Sequence, residues 1–369
     1  MKFQCDKSNL VQGVQIVQRA VSTKNTMPIL GGILLETTDN DEIVLKATDL
    51  EMGIKCSIKA DIIEPGSIVL PSKYFSELVR KLPDLPITFE TNQNAANIIY
   101  GDSQVVINGF DPEEFPILPS LSDTDAVNVP GDLLKHMIRQ VSVAVSKDES
   151  RPVFTGILTE INENQLRLVS TDTHRLSCRT GVLEKGLSSR LEIIPGKTLT
   201  EVSRLINDEE SITISFDKNQ VLFKIDNISL ISRLIEGQFP DYKQVIPKEY
   251  STKVRLETKT FLQVVERASL LAGDEGGNKA NVIKISFSEN SLIINMNSPD
   301  VGKLHEKVPA YIEGEEIKIA FNSKYLIDVL KVVDDEEVYL ELSGTLSPGI
   351  IKPVTKDNYL YLILPIRTV

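Results

Sequence analysis

What most constrains the fold of this chain is that it repeats itself. Gly32-Ile33-Leu34-Leu35-Glu36 recurs 124 residues later as Gly156-Ile157-Leu158-Thr159-Glu160. Leu70-Pro71-Ser72-Lys73 matches Ile194-Pro195-Gly196-Lys197, and Phe115-Pro116 matches Phe239-Pro240, at the same offset. One register held over some 80 residues indicates duplication of a whole unit. A third, more diverged copy is visible where Lys73-x-x-x-Glu77 and Lys197-x-x-x-Glu201 are echoed by Lys324-x-x-x-Asp328. The hairpin Ile157 to Ser170 is echoed by Ile283 to Met296. The polar, turn-rich joints Ser122 to Asp125 and Pro247 to Thr252 then divide the 369 residues into units 1–125, 126–249 and 250–369.

Each unit reads as strand-rich with two helices. Leu10, Val11, Val14, Val17 and Val21 fall at helical spacing behind Ser8, a cap candidate. Phe75, Leu78, Val79 and Leu82 make the inward stripe of a second helix from about Lys73. Corresponding helices are expected at 132–145, 197–206, 259–272 and 324–333. Between them run alternating segments such as Ile43 to Lys46 and Gln104 to Ile107, separated by turn residues. The class is therefore α+β, with three similar domains.

Charge is distributed against the average. The chain carries −12 formally, yet each of the six helical segments is net positive, together +7, which leaves −19 elsewhere. The helix at 8–21 presents Asn9, Gln12, Gln15, Gln18 and Arg19 with no carboxylate. A mildly basic lining within an acidic body would touch phosphates weakly and without sequence preference.

Enzymatic patterns are sparse. His136, His174 and His305 show no metal-binding spacing, and Cys5, Cys56 and Cys178 form neither a C-x-x-C nor an even disulfide set. No cofactor is expected. Gly273 to Lys279 is glycine-rich but lacks the Lys-Ser/Thr ending of a phosphate loop and carries two carboxylates, so it reads as a surface loop. Asp49 and Asp172 occupy equivalent repeat positions and read as strand-end turns rather than a catalytic pair. The longest apolar run, Tyr359 to Ile366, is far short of the ~20 residues a membrane span needs, and no secretory leader is apparent, so the expected location is cytoplasmic. Two segments stand out: Thr171 to Leu176, whose His-Arg-Leu portion has no counterpart in the first unit, and the apolar, proline-broken end Leu362 to Arg367.

Taken together, Met27-Pro28-Ile29-Leu30-Gly31, Ala47 to Met52, Thr171-Asp172-Thr173-His174-Arg175-Leu176, Gly237 to Tyr242 and Leu364-Pro365-Ile366-Arg367 resemble the bacterial DNA sliding clamp family, the beta subunit of DNA polymerase III, over the whole chain. The resemblance implies three clamp domains per chain and two chains in a closed homodimeric ring, helices inside and sheets outside. Such a ring encircles double-stranded DNA and is loaded by a clamp-loader ATPase. It tethers the replicative polymerase, and it binds repair and translesion proteins through extended peptides carrying apolar anchors and a glutamine. Carried over position by position, the peptide groove would use Phe154, Thr171, His174, Arg175, Leu176, Pro240, Val245, Leu362, Ile363, Leu364, Pro365 and Ile366. DNA contacts would fall to Lys24, Lys147 and Arg151, and ring closure to Val105 and Ile107 against Leu270 and Leu271 of the partner. Thr173 departs from a glycine common in the family, and two residues follow Arg367. The rival expectations are a hydrolase centred on His174 and Asp172, and a monomeric adaptor that never encircles DNA.

Overall fold

The computed structural model of the chain describes residues 1–22, 27–119, 126–207, 211–271, 281–298 and 302–367, with backbone alone for 185–188 and 297–298. Lys24, the joint at Ser122 to Asp125 and the glycine-rich loop 273–279 lie outside the described residues. The described α-helices are α1 (Lys7–Val17), α2 (Ser72–Lys81), α3 (Gly131–Ser142), α4 (Gly196–Leu205), α5 (Thr258–Leu271) and α6 (Ser323–Leu330). Each falls on a segment whose apolar spacing predicts it. Ser8 is not the cap of α1: the non-helical residue at its start is Asp6, and Ser8 sits within the first turn. None of the described helices is long and apolar enough to cross a membrane.

The chain gathers into two compact units, residues 1–132 with 197–234, and residues 133–196 with 235–369. The second repeat is shared between them because strands pair across the repeat joints. In the first unit an eight-stranded antiparallel sheet runs Val127–Pro130, Ser211–Asp217, Gln220–Ile225, Ile228–Arg233, Met52–Lys59, Glu42–Thr48, Gly32–Thr37, Ser67–Pro71. Its central pairing sets Ile228 against Cys56 and Ser232 against Met52, so one ladder holds repeats 1 and 2. The second unit repeats the device: Arg175–Pro195 pairs with Tyr359–Ile363, Leu176 opposite Leu362, inside a seven-stranded sheet.

Each unit has a further, smaller sheet. In the first unit it runs Asp61–Glu64, Lys2–Cys5, Ile87–Asn92, Ala95–Tyr100, Ser103–Asn108, with Ser103–Asn108 at an edge. In the second it runs Gly302–Pro309, Ser291–Ser298, Val282–Ser288, Ile317–Asn322, with Gly302–Pro309 at an edge.

Period-two alternation fills the cores. Phe3 stacks on Phe89 at 4.7 Å and Phe75 of α2 meets Phe89 edge-on at 6.0 Å, joining helix to sheet. In α1, a Cβ on Gly13 would lie 3.0 Å from Ile58 and 3.1 Å from Leu45, so the missing side chain lets the helix lie close on the sheet. The core of the third repeat gathers Phe261, Phe287, Phe321, Tyr359, Tyr361 and Ile363.

Candidate functional site

Thr171-Asp172-Thr173-His174-Arg175 is a turn that organises its own backbone. Asp172 Oδ1 accepts the N–H groups of His174 (3.0 Å) and Arg175 (3.1 Å), and Thr171 Oγ1 accepts that of Thr173 (3.1 Å). Repeat 1 builds the same turn: Asp49 Oδ1 accepts from Glu51 and Met52, and Thr48 Oγ1 accepts from Leu50. Asp49 and Asp172 are thus turn residues, as their repeat positions suggest. Their remaining oxygens lead to the second helix of the following repeat. Asp49 Oδ2 accepts from Lys197 of α4 at 2.6 Å, whereas Asp172 Oδ2 accepts Arg175 Nε at 2.9 Å and Arg175 Nη1 continues to Asp328 of α6 at 2.6 Å.

Thr173 and Leu50 hold the same left-handed conformation, φ 75° in each. Threonine at position 173 thus holds a left-handed conformation that glycine adopts freely, and its side chain is felt as backbone strain. A left-handed non-glycine residue costs about 1–2 kcal/mol, against about 0.5–1 kcal/mol for the extra freedom glycine loses on folding. Thr173→Gly should accordingly raise stability by about 0.5–1 kcal/mol. A higher urea midpoint at constant slope would show it; an unchanged or lower midpoint would refute the strain. The bond to Thr171 Oγ1 uses a backbone N–H and survives the substitution.

Arg175 is only 8% exposed. Its guanidinium lies 4.2 Å over the Tyr325 ring, and Nη1 also donates to Tyr361 Oη at 3.4 Å. Burial by itself would lower its pKa, but the Tyr361 hydroxyl and the two carboxylates outweigh burial and raise it. Arg175 is therefore a buried linchpin between the turn and α6, and its charge is satisfied inside the protein. The His174 ring stacks against Tyr325 with centroids 6.4 Å apart.

The remaining groove candidates divide by depth. Leu176 and Leu362 lie deepest, in a buried cluster with Phe239, Tyr242 and Ile350. Phe154 meets Phe239 edge-on at 6.4 Å. His174, Pro240 and Leu364 are exposed, Val245 is 54% exposed, and Thr171, Pro365 and Ile366 are half-buried. The C-terminal segment is tied down on both sides, Leu364 N–H donating to the His174 carbonyl and Ile366 N–H to that of Ala320. Ile363 is a correction: strand alternation turns it away from Leu362 into the core of the third repeat, where it is fully buried and cannot wall a groove.

A cavity of about 510 Å³ opens beside the turn. Lys147 and Arg151, expected at DNA, line it together with Phe154, His174 and Arg175 from the groove set. Asn322, Lys324 and Tyr325 also line it, and sequence reasoning misses all three. The available signal is the Lys324-x-x-x-Asp328 echo, which marks the start of α6. Val105 and Ile107 are half-buried on the edge strand Ser103–Asn108. Leu271 is half-buried at the end of α5, and Leu270 is 77% exposed rather than packed in a core.

The three domain models of the DNA polymerase III beta subunit match in order: N-terminal at residues 1–119, central at 128–241 and C-terminal at 243–367. The beta sliding clamp of Staphylococcus aureus is 39% identical over 379 aligned positions, covering 100% of both chains. Among solved structures, the DNA polymerase sliding clamp from Bacillus subtilis is 38% identical with a TM-score of 0.96, covering 100% of both chains. A Pseudomonas aeruginosa sliding clamp bound to griselimycin is 25% identical with a TM-score of 0.94, again over both full chains. The chain belongs to the DNA polymerase III beta subunit family, the bacterial beta sliding clamps.

Proposed function

We propose that two copies of this chain close into a ring around duplex DNA, and that the ring acts by tethering rather than by catalysis. The observation that carries the proposal is the pairing of strands at the repeat joints. Repeat 1 offers Met52–Lys59 to Ile228–Arg233 of repeat 2, and repeat 2 offers Arg175–Pro195 to Tyr359–Ile363 of repeat 3. One partner of each kind is left over: Gly302–Pro309 of repeat 3 and Ser103–Asn108 of repeat 1, both at sheet edges. A two-fold assembly in which each leftover strand meets that of the other chain uses up both edges and closes.

The internal symmetry also supplies the register. Phe110, Ile235 and Ile366 donate equivalent backbone bonds to Val69, Ile193 and Ala320, so Val106 corresponds to Ile231 and Leu362. These two face Gly53 and Leu176. In repeat 3, Val282 and Asn322 pair as Gly32 and Pro71 do, and following that sheet to Asn297 opposite Lys303 makes Lys303 the counterpart of Gly53. Val106 should therefore face Lys303 of the partner chain, with Val105 beside Leu304 and Ile107 beside Gly302. Backbone direction agrees. Gly109 N–H turns inward to the Asn94 carbonyl and Ala310 N–H to that of Asn290, so by alternation residues 104, 106 and 108 and residues 303, 305 and 307 point to the open edges.

Within such a ring the mildly basic helices would meet DNA, and much of their charge is already paired. Arg19 and Arg204 share Glu201, Arg139 meets Asp334, and Lys331 meets Glu266. Weak phosphate contact permits sliding while topology provides retention. Lys147 and Arg151 are the further DNA candidates among the described residues. The apolar groove between the 171–176 turn, the 237–246 segment and the C-terminal end would take extended peptides from a polymerase, a clamp loader or repair proteins. A hydrolase centred on Asp172 is disfavoured, because both oxygens of that carboxylate are committed to its own turn and to Arg175.

A cysteine pair tests the ring directly. The chain's own thiols suit such a test: burial pushes Cys5 up to about 12 and Cys56 and Cys178 each up to about 11, which suppresses their thiolates at neutral pH. The chain carrying Val106→Cys and Lys303→Cys should oxidise to a doubly cross-linked dimer, since facing ladder residues meet the Cα separation of a disulfide. Oxidised with clamp loader, ATP and nicked circular plasmid, it should stay on the circle in SDS and be released by linearisation. Monomer alone, or an open ladder of multimers, would refute closure and favour the adaptor.

A further inference from the structure

The segment 234–250 follows the last strand of repeat 2 and carries two groove positions, Pro240 and Val245, without belonging to any sheet. Its middle is a short 3-10 turn, Tyr242–Val245, held internally by Asp241, whose Oδ1 accepts the Lys243 N–H and whose Oδ2 accepts Gln244 Nε2 at 2.9 Å. A rigid turn of this kind moves as one piece, so its place depends on what fixes it to the sheet. Phe239 supplies an apolar plug. The polar fixture is Tyr242, only 6% exposed, whose hydroxyl donates to Glu160 Oε2 at 3.0 Å and accepts from Arg167 Nη1 at 3.4 Å. Arg167 also reaches Glu160 Oε2 at 3.4 Å and is itself fixed by Nε to Thr180 Oγ1 at 3.1 Å. Glu160 and Arg167 both lie on Gly156–Thr171, the strand that leads into the 171–176 turn.

We infer that Glu160, Arg167 and Tyr242 are positioning residues that set the distance between the Pro240–Val245 wall and the groove floor, and so decide how well one apolar anchor of a bound peptide is held. The inference rests on the groove reading above. A phenol bonded in one direction to a carboxylate and in the other to a guanidinium has a single orientation, whereas an apolar plug tolerates sliding. Pro240 and Val245 stand on either side of Tyr242 in the chain, and shifting the phenol displaces both. The three residues do not themselves need to touch peptide.

The test uses the full-length chain and fluorescence anisotropy with a labelled pentapeptide, Gln-Leu-Ala-Leu-Phe, together with versions in which each apolar anchor is replaced singly by alanine. Tyr242→Phe keeps the ring buried and removes the hydroxyl. It should weaken the parent peptide about tenfold, and for the version lacking the wall-facing anchor the loss should shrink to about twofold or less, the signature of a lost coupling. Glu160→Gln retains an acceptor for the phenol and should stay within about threefold of the unsubstituted chain, while Glu160→Ala should match Tyr242→Phe. Phe287→Leu, in the core of the third repeat, lowers stability at a distance and should leave every affinity unchanged. Equal losses across all peptides, or none, overturn the inference while the groove stands. Failure of the unsubstituted chain to bind any of the peptides overturns the groove reading and the inference with it.

Discussion

Val106→Pro should turn the dimer into a folded monomer. Val106 is 60% exposed, and its N–H is directed at the open edge of its sheet, so the strand Ala95–Tyr100 loses no ladder bond when the N–H is removed. Proline is tolerated at such edge positions and forbidden in the middle of a sheet. The substitution therefore distinguishes the two environments of one residue: an edge in the isolated chain and an interior ladder in the ring. In the dimer it deletes a central hydrogen bond opposite Lys303 at each of two interfaces and inserts a ring where two strands must approach within about 5 Å. Because both contacts carry the defect, dimer affinity should fall at least about a hundredfold, from roughly 3 kcal/mol at the two sites combined. Sedimentation velocity at micromolar concentration should show monomer, with an unfolding transition close to that of the parent. A persistent dimer would move the interface elsewhere, and loss of folding would show that the Val106 N–H is used within the chain. Gln104 shares the outward backbone direction and offers the control: Gln104→Ala keeps the N–H and should leave the dimer intact.

Much of this architecture is legible in the residues themselves. The 124-residue offset marks the duplication, and apolar spacing marks all six described helices, because both signals are local. The cluster proposed as the groove floor is partly legible too: Leu176 and Leu362 stand in segments whose composition is unusual for a turn and a terminus. What escapes the sequence is whatever depends on register. Strand alternation sends Leu362 to the cluster around Leu176 and Phe239 and Ile363 to the third core, and nothing in the run Leu362-Ile363-Leu364 says which is which. Tyr325 and Asp328 escape for a different reason. On α6 they read as ordinary helix residues, and only the antiparallel pairing of Arg175–Pro195 with Tyr359–Ile363 brings that helix to the turn. Charge counting likewise overstates the helices, since it cannot see Glu201 between Arg19 and Arg204.

Arg175→Ala should be the most damaging single substitution around the proposed groove, and its effect should come through position rather than through a lost peptide contact. The guanidinium is buried against Asp172, Asp328, Tyr361 and the Tyr325 ring, so its removal leaves two carboxylates facing each other without a cation. Breaking a buried pair in this way costs about 3–5 kcal/mol. The turn keeps its Asp172 backbone bonds, but its tie to α6 is gone, and His174 and Tyr325 lose their common support. Peptide affinity should fall about a hundredfold, in line with about 3 kcal/mol. Asp328→Asn, which retains an acceptor and removes one charge, should cost about 1–2 kcal/mol of stability and about tenfold in affinity. The decisive variant combines Arg175→Met and Asp328→Leu with Asp172→Asn, which keeps the side-chain oxygen that accepts the turn's N–H groups and leaves no unpaired carboxylate, because replacing a buried ion cluster by neutral residues of similar volume is often neutral for stability. Stability should return toward that of the parent while peptide affinity stays low, since methionine and leucine pack without the directional bonds that fix the turn on the helix. Recovery of both together would mean that Arg175 serves stability alone; loss of affinity at restored stability identifies the Arg175–Asp328 tie as the element that holds the groove's two sides in place.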